Sequence, residues 1–360
     1  WDERKSFGNT RNPVIEEAKC KFEAEHGSIN KRKNKTLWKE IRTSDELRKR
    51  AAGQTPAGYG PTDMTDAEHC DGKNVRQCIE WLEKKAYGDK PFFMVCGIQR
   101  PHVPFFAPQK YFDRYPLDQI NLVNDPASDW DDIPELALWG RYRVFMQNPR
   151  CPDDRERRKA HQAYYACITH IDTMVGQLLD AVKKQGLWNN TIIIFTSDHG
   201  YHLGEHGMWG KVTHFEPCDR IPFLVHVPGI TKGGSACPRL IEFVDLYPTL
   251  VDLCNLKAPH KFEGTSFVPL LSECNRPWKK AAFTVVQRGP EQEITCKAVR
   301  SERWRYSEWN DPNQNELYDL KNDPNEWYNL AKDPQYADTV ERMRELLNGG
   351  WKEAVPVSSN

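Results

Sequence analysis

The chain has 360 residues, 50 Lys+Arg against 51 Asp+Glu, a formal net charge of -1, and 39% hydrophobic residues including 12 Trp. That length and apolar content support a sizeable core and exclude disorder as the main state, with room for two domains or one large α/β domain and an appendage. The balanced charge excludes a general nucleic-acid binder, which needs surplus Lys and Arg to release counterions, and no apolar run nears the ~20 residues that span a bilayer.

Trp1-Asp2-Glu3-Arg4-Lys5 has no Met and no apolar h-region, so it reads as neither a natural start nor a signal peptide. Residues 1–70 are polar and irregular and are expected to be surface loops. Their most basic stretch, Lys31 to Arg50, carries nine basic and three acidic residues and reads as a solvated face rather than a polyanion site. Between Lys73 and Ala86 the apolar positions Val75, Cys78, Ile79 and Leu82 recur at helical spacing. The run Phe92–Cys96 then reads as a buried strand. Residues 100–155, rich in Pro and Asp, are expected to form a long loop region over the sheet.

Tyr164, Ile168, Ile171, Val175, Leu178, Leu179 and Val182 mark one face of a long helix that stops at Gly186. Thr191–Thr196 lacks alternation, as in a parallel strand covered on both faces. A further strand at Phe223–Val227 and a short helix around Val244–Leu250 complete an α/β sandwich with a mostly parallel central sheet. After Pro277, runs at Ala281–Val286, Ile294–Arg300 and Trp304–Ser307 precede a helix with Val340, Met343, Leu346 and Leu347, which suggests a small antiparallel sheet plus helix. The expected division is therefore 1–276 for the α/β body and 277–360 for an α+β subdomain.

The 11 Cys are scattered without a C-x-x-C pair, which disfavours a structural zinc cluster and is compatible with disulfides. Two N-x-[ST] sequons begin at Asn34 and Asn189 and are compatible with secretion.

The densest chemistry lies in Ser197-Asp198-His199-Gly200 through Lys211, at the carboxyl end of the expected Thr191–Thr196 strand, where open α/β sheets bind ligands. Asp198 and His199 can place a carboxylate and an imidazole on one cation while the backbone turns away, and Lys211 could return as a fixed positive charge. The blander reading has Asp198 capping a turn and the histidines packing. His202-Leu203-Gly204-Glu205-His206 matches the H-x-x-E-H zinc-protease signature, but the recurring glycines weaken the helix that signature needs. A second candidate is His102, which Pro101 and Pro104 are expected to hold in extended geometry over the same sheet edge; alone it is more often a loop histidine.

With these residues in order, the sequence resembles the sulfatases of the alkaline phosphatase superfamily, most closely those of the iduronate 2-sulfatase type. The resemblance runs from Pro91–Phe93 and Pro101–Phe105 through Tyr164–Asp172 with Val175-Gly176, then Thr196–Gly200, Leu203–Gly207 and Lys211. It continues in Pro222–Leu224, Asp245–Leu250, Glu263–Phe267, Glu316–Leu320 and Asp323-Pro324, and covers roughly residues 73–347. It implies that Asp198 and His199 are two ligands of a divalent cation, usually Ca2+, that Lys211 contacts the sulfate and leaving oxygen, and that His102 lies in the same pocket. It further implies hydrolysis of sulfate esters on a sulfated glycan such as iduronate 2-sulfate, in a secreted, periplasmic or lysosomal setting.

One departure stands out. The family's nucleophile is a formylglycine made from the cysteine of C-x-P-S-R, and that motif is absent, as are the paired aspartates that complete the cation site. Cys151-Pro152-Asp153-Asp154-Arg155 is the nearest string, with Pro one place early and no Ser, and reads as a loop turn. The expectation is the C-terminal portion of a sulfatase whose nucleophile segment is encoded upstream or acts as a separate chain. Phosphate or phosphonate ester hydrolysis, and a non-catalytic anion-binding remnant, remain the alternatives.

Overall fold

In the computed structural model, which describes residues 5, 13–28, 31–43, 58–138, 153–258, 260–288, 291 and 293–355, the polar start of the chain carries two helices rather than only loops. These are α1 (Pro13–His26) and α2 (Arg32–Thr43). Proline at the first helical position and Gly27 just past the last, at φ 78°, are the stop and start signals that the high charge obscured. The rings of Phe22 and Trp38, 5.5 Å apart, close the helical hairpin. Asn34 is buried and its Nδ2 lies 3.0 to 3.1 Å from the carbonyl oxygens of His26, Gly27 and Ser28. Lys31, Lys33 and Lys35 are exposed, as expected of a solvated basic face; residues 44–50 of that stretch lie outside the described residues.

The chain divides into two units, the first comprising Trp1–Leu122 and Tyr142–Trp188, the second Val123–Arg141 and Asn189–Asn360. In the first, β1 (Tyr59–Thr62) pairs in parallel with β2 (Phe105–Pro108), and helices α3 (Cys70–Glu83) and α4 (Asp154–Lys184) pack with them. On α3, Val75, Cys78 and Leu82 are buried as their spacing predicts. The face of α4 differs from expectation: Ile171 and Val182 are buried, but Ile168 is exposed, and the buried stripe is built largely from Ala160, Ala163, Ala166, Cys167 and Met174. Small side chains let α4 approach β2 closely, a signal that a search for large aliphatics passes over. Asp153 caps α4 by accepting from the Glu156 N–H (2.8 Å), and Gly186 ends it at φ 70°. Of the loop region expected over 100–155, residues 139–152, with Cys151 and Pro152, lie outside the described residues, and Phe105–Pro108 form the strand β2 rather than loop.

The run Phe92–Cys96 forms no ladder among the described residues. Its side chains alternate, with Phe92, Met94 and Cys96 half-buried while Phe93 and Val95 are 69% and 58% exposed. The segment is held along α3 by Asp71, whose carboxylate accepts the N–H groups of Gln99 (2.7 Å) and Arg100 (3.1 Å).

In the second unit, β3 (Ile193–Thr196) pairs antiparallel with β6 (Phe223–His226), and the hairpin β4 (His202–Leu203) with β5 (Trp209–Gly210) lies between them in sequence. The α/β class stands, yet two details change: β3 has an antiparallel rather than parallel partner, and Phe195 is exposed, so β3 is not covered on both faces. Helix α5 (Leu246–Leu253) follows. The C-terminal sheet is antiparallel in the order β10-β9-β8-β7, from β7 (Ala282–Arg288), β8 (Ile294–Arg300), β9 (Trp304–Trp309) and β10 (Glu316–Asp319). Helix α6 (Ala337–Ala354) contributes Met343 to a core with Val299, Tyr306 and Leu317.

A buried cation organises this sheet. Arg305, 1% exposed, has its Nε on Glu326 and its Nη2 3.6 Å from Glu316, with its guanidinium 4.7 Å from the Phe215 ring and 4.5 Å from that of Tyr318. Glu326 in turn accepts the Glu216 N–H at 2.7 Å. A buried charge is tolerated because both carboxylates and the aromatic faces compensate the lost hydration.

The first unit holds a different polar cluster. His69 Nε2 bonds Thr62 Oγ1 (2.9 Å), His170 packs its ring against His69 (4.9 Å), and Asp66 lies 3.8 Å from His170 Nε2. Burial pushes both imidazoles down to about 4. An unfolded histidine titrates near 6.5, so between these values the unfolded chain binds more protons, and the stability present above pH ~6.5 is lost as pH falls toward 4. Hydrogen-exchange protection of α3 and α4 should drop across that window, and drop less in His170→Phe; protection unchanged between pH 6.5 and 4 would contradict this account.

Candidate active site

The Asp-His-Gly segment leaves the end of β3 and crosses the backbone of the single-turn helix Glu216–Asp219. Gly200 N–H donates to Cys218 O (2.7 Å) and Tyr201 N–H to Pro217 O (2.8 Å). A Cβ on Gly200 would sit 2.0 Å from Pro217 O, so no other residue fits. The expected reason for this glycine was a turn; the operative one is the close approach of two backbones.

The hairpin explains how Lys211 returns. Pairing His202 with Gly210 and Leu203 with Trp209 places Lys211 back alongside the residues that precede β4. The turn between the strands uses Gly204 at φ 117° and Gly207 at φ 60°, and a Cβ on Gly207 would meet the Trp130 ring at 2.5 Å. Trp130 Nε1 donates to His206 O at 2.9 Å, fastening the turn.

These elements bring three of the four expected residues together. Lys211 Nζ lies 2.8 Å from His199 Nε2, and Asp198 Oδ2 is 3.6 Å from the same nitrogen. His199 Nδ1 is 2.7 Å from Gly200 O, so it carries the proton and donates, leaving the Nε2 lone pair to accept from the lysine ammonium. The His199 N–H donates to Asp198 Oδ1 (3.0 Å) and Ser197 Oγ to His199 O (2.8 Å). The Asp198 side chain is 87% exposed, while Lys211 is half-buried. A lysine ammonium that gives one N–H bond to an imidazole acceptor has two more to give, here beside an exposed carboxylate. That arrangement suits an anionic group bridged to a cation.

The fourth residue, His102, belongs to the first unit. Its N–H donates to Gln99 O (2.9 Å), closing a turn, and Arg100 Nη1 donates to its carbonyl (2.5 Å). The expected extended geometry is thus a turn instead. The ring is exposed, with Nδ1 2.6 Å from Val103 O.

The H-x-x-E-H string forms no zinc site. His202 is buried in β4 with Nε2 on Thr213 Oγ1 (2.8 Å), and burial pushes it down to about 3. His206 stacks on Phe215 (4.2 Å) and bonds Asp129 (3.1 Å); burial pulls its imidazole down, but the carboxylates of Asp129, Glu326 and Asp125 together outweigh it and leave the net shift upward. Sequence reading named neither Asp129 nor Trp130, which lie some seventy residues away from this segment without a pattern to link them. Calcium takes ~6–8 oxygen ligands. Asp198 and a histidine already engaged by Lys211 do not compose such a site by themselves, and no group of three or more His, Cys, Asp or Glu among the described residues could hold a metal.

The backbone crossing makes a firm expectation. Gly200→Ala should cost about 3 kcal/mol, because Pro217 must move and a backbone hydrogen bond must break. Denaturant titration of the second unit measures this, and a loss under ~0.5 kcal/mol would show that the crossing yields freely.

The sulfatase family model matches residues 18–256, and that of the C-terminal part of N-sulphoglucosamine sulphohydrolase matches 204–352. A sulfatase of Formosa agariphila is 32% identical over 319 residues, covering 88% of this chain and 61% of that protein. Iduronate 2-sulfatase of Homo sapiens is 28% identical over 365 residues, covering 79% and 66%. Among solved structures, the phosphonate monoester hydrolase of Agrobacterium radiobacter superposes with a TM-score of 0.72 at 24% identity, covering 89% of this chain and 69% of that one, which shows the shared fold. The chain therefore spans under two thirds of the length of these curated relatives. With the family model matching well over half of its residues, the chain belongs to the sulfatase family.

Proposed function

We propose that the protein of which these residues are part hydrolyses sulfate esters, with a sulfated carbohydrate of the iduronate 2-sulfate kind as substrate. The observation that carries this reading is the Lys211 ammonium held 2.8 Å from His199 Nε2 next to Asp198. Attack at sulfur builds negative charge on the leaving oxygen, and a positive charge fixed in advance stabilises it without reorganising. In this reading Lys211 binds the sulfate and the leaving oxygen, His199 orients Lys211, and His102 supplies a proton to the departing alkoxide.

The remaining Ca2+ ligands and the formylglycine nucleophile implied by the family resemblance would come from residues outside these 360. Asp198 would be this chain's carboxylate toward the cation. When bound, such a cation would supply electrostatic stabilisation of the anionic group. Secretion, or delivery to a lysosome or periplasm, goes with this reading; among the described residues, no helix is long and apolar enough to cross a membrane. The α/β body of 1–276 would carry the site, with 277–360 as its smaller α+β companion.

The test uses the intact protein on aryl sulfate, aryl phosphate and sulfated disaccharides. Turnover of sulfate over phosphate supports the proposal, and the reverse preference moves the chemistry to phosphate or phosphonate esters. Lys211→Ala should lower turnover by about 10²-fold or more while leaving the unfolding midpoint within about a degree. Turnover within a few-fold of the parent removes Lys211 from its assigned role. Asp198→Ala should abolish the rise in unfolding midpoint that added calcium gives the parent; an equal rise in both would deny Asp198 a place on the cation.

A further inference from the structure

The β4–β5 ladder is two residue pairs long, His202 with Gly210 and Leu203 with Trp209, and Lys211 is the next residue along. A hairpin so short does not hold its own register. Its turn is also strained: Gly204, His206 and Gly207 all have positive φ, and His206, at 54°, has a side chain to crowd the backbone. What fixes His206 there lies outside the hairpin, on the short helical turn Asp129–Asp132. Its imidazole Nδ1 is 3.1 and 3.2 Å from the two carboxylate oxygens of Asp129, the side chains being 1% and 2% exposed. The neighbouring Trp130 Nε1 donates to His206 O (2.9 Å).

We propose that Asp129 and His206 are positioning residues for Lys211: their ion pair holds the β4–β5 register that brings the ammonium to His199 while the imidazole is protonated, and slackens when that proton leaves to solvent. The inference rests on the sulfate-ester reading of the site and gives that chemistry an alkaline limit set away from the reacting atoms. An N–H shared between two carboxylate oxygens out of water is at full strength as imidazolium against carboxylate. Once the ring is neutral, Asp129 is a buried charge without a counter-charge, a cost relieved by letting the turn open to water.

The surroundings of the pair favour the imidazolium. Asp125 and Glu326 add negative potential to that of Asp129, and Asp131 and Asp132 share its turn. On the hairpin itself, Glu205 precedes His206, and His202, 6.0 Å away ring to ring, is neutral because burial pushes it down to about 3. Arg305 is the opposing cation, 4.7 Å from the Phe215 ring on which His206 stacks. Burial pulls the His206 imidazole down, and the carboxylates together leave the net shift upward. With a folded value above the ~6.5 of an unfolded histidine, the hold of the pair is complete below pH ~6.5 and is lost as pH rises through the folded value.

The test follows kcat of the intact protein on an aryl sulfate between about pH 5 and 9, in the parent and in Asp129→Asn. Asparagine removes the charge and keeps an acceptor oxygen, so the alkaline fall of kcat should begin about one pH unit or more lower than in the parent. A merely structural loss would instead lower kcat by the same factor at every pH, and an alkaline limb left where the parent has it overturns the proposal. Hydrogen exchange of the parent alone, read on peptides spanning 202–211 and corrected for the intrinsic pH dependence of exchange, should lose protection as pH rises through the same range. Constant protection there overturns the proposal even where Asp129→Asn fails to fold. If the parent turned over no sulfate ester at any pH, the sulfatase reading would fall, and the exchange result would still uphold or overturn the clamp.

Discussion

The site in the second unit rests on one place where two backbones touch. Gly200 passes Pro217 so closely that a methyl group would lie 2.0 Å from a carbonyl oxygen, and two main-chain hydrogen bonds fasten the crossing. His199 precedes that contact immediately, so its ring is aimed by the backbone rather than by side-chain packing. The β4–β5 hairpin then needs only its register to bring Lys211 to the imidazole. Local geometry in a half-exposed loop is thereby made as definite as in a core.

From that crossing, order propagates through aromatic and ionic contacts within the same unit. His206 stacks on Phe215, Phe215 lies under the Arg305 guanidinium, and Arg305 is flanked by Glu316 and Glu326. Asp129 and Trp130 hold the outer side of the hairpin turn. Each of these groups would be costly to bury alone, and together their charges compensate one another. The antiparallel sheet thus serves as the floor beneath the loop that presents Lys211.

How much of this was legible in the sequence depended on the range of the interaction. Periodicity located α3, α4, the C-terminal strands and α6 because apolar spacing is a local signal. Asp198, His199 and Lys211 were found together because they lie within one short segment of unusual composition. The partner of β3 was misjudged because an apolar run says that a strand is covered, not in which direction its neighbour runs. Asp129, Trp130 and the purpose of Gly200 escaped notice because each depends on a residue distant in the chain or on an absent volume, and neither leaves a pattern. The two N-terminal helices were overlooked where their charge outweighed a seam as narrow as Phe22 and Trp38.

That seam bears on how the chain is processed as it emerges. Asn34 opens a glycosylation sequon, yet its amide nitrogen is spent on the carbonyls at the end of α1 and the residue is buried. A glycan on that nitrogen would remove a donor hydrogen and demand space where the hairpin has none. Were the chain to meet glycosylating enzymes, attachment of sugar and closure of the α1–α2 hairpin would therefore oppose each other at this asparagine. Asn189, exposed at its own sequon, imposes no such choice.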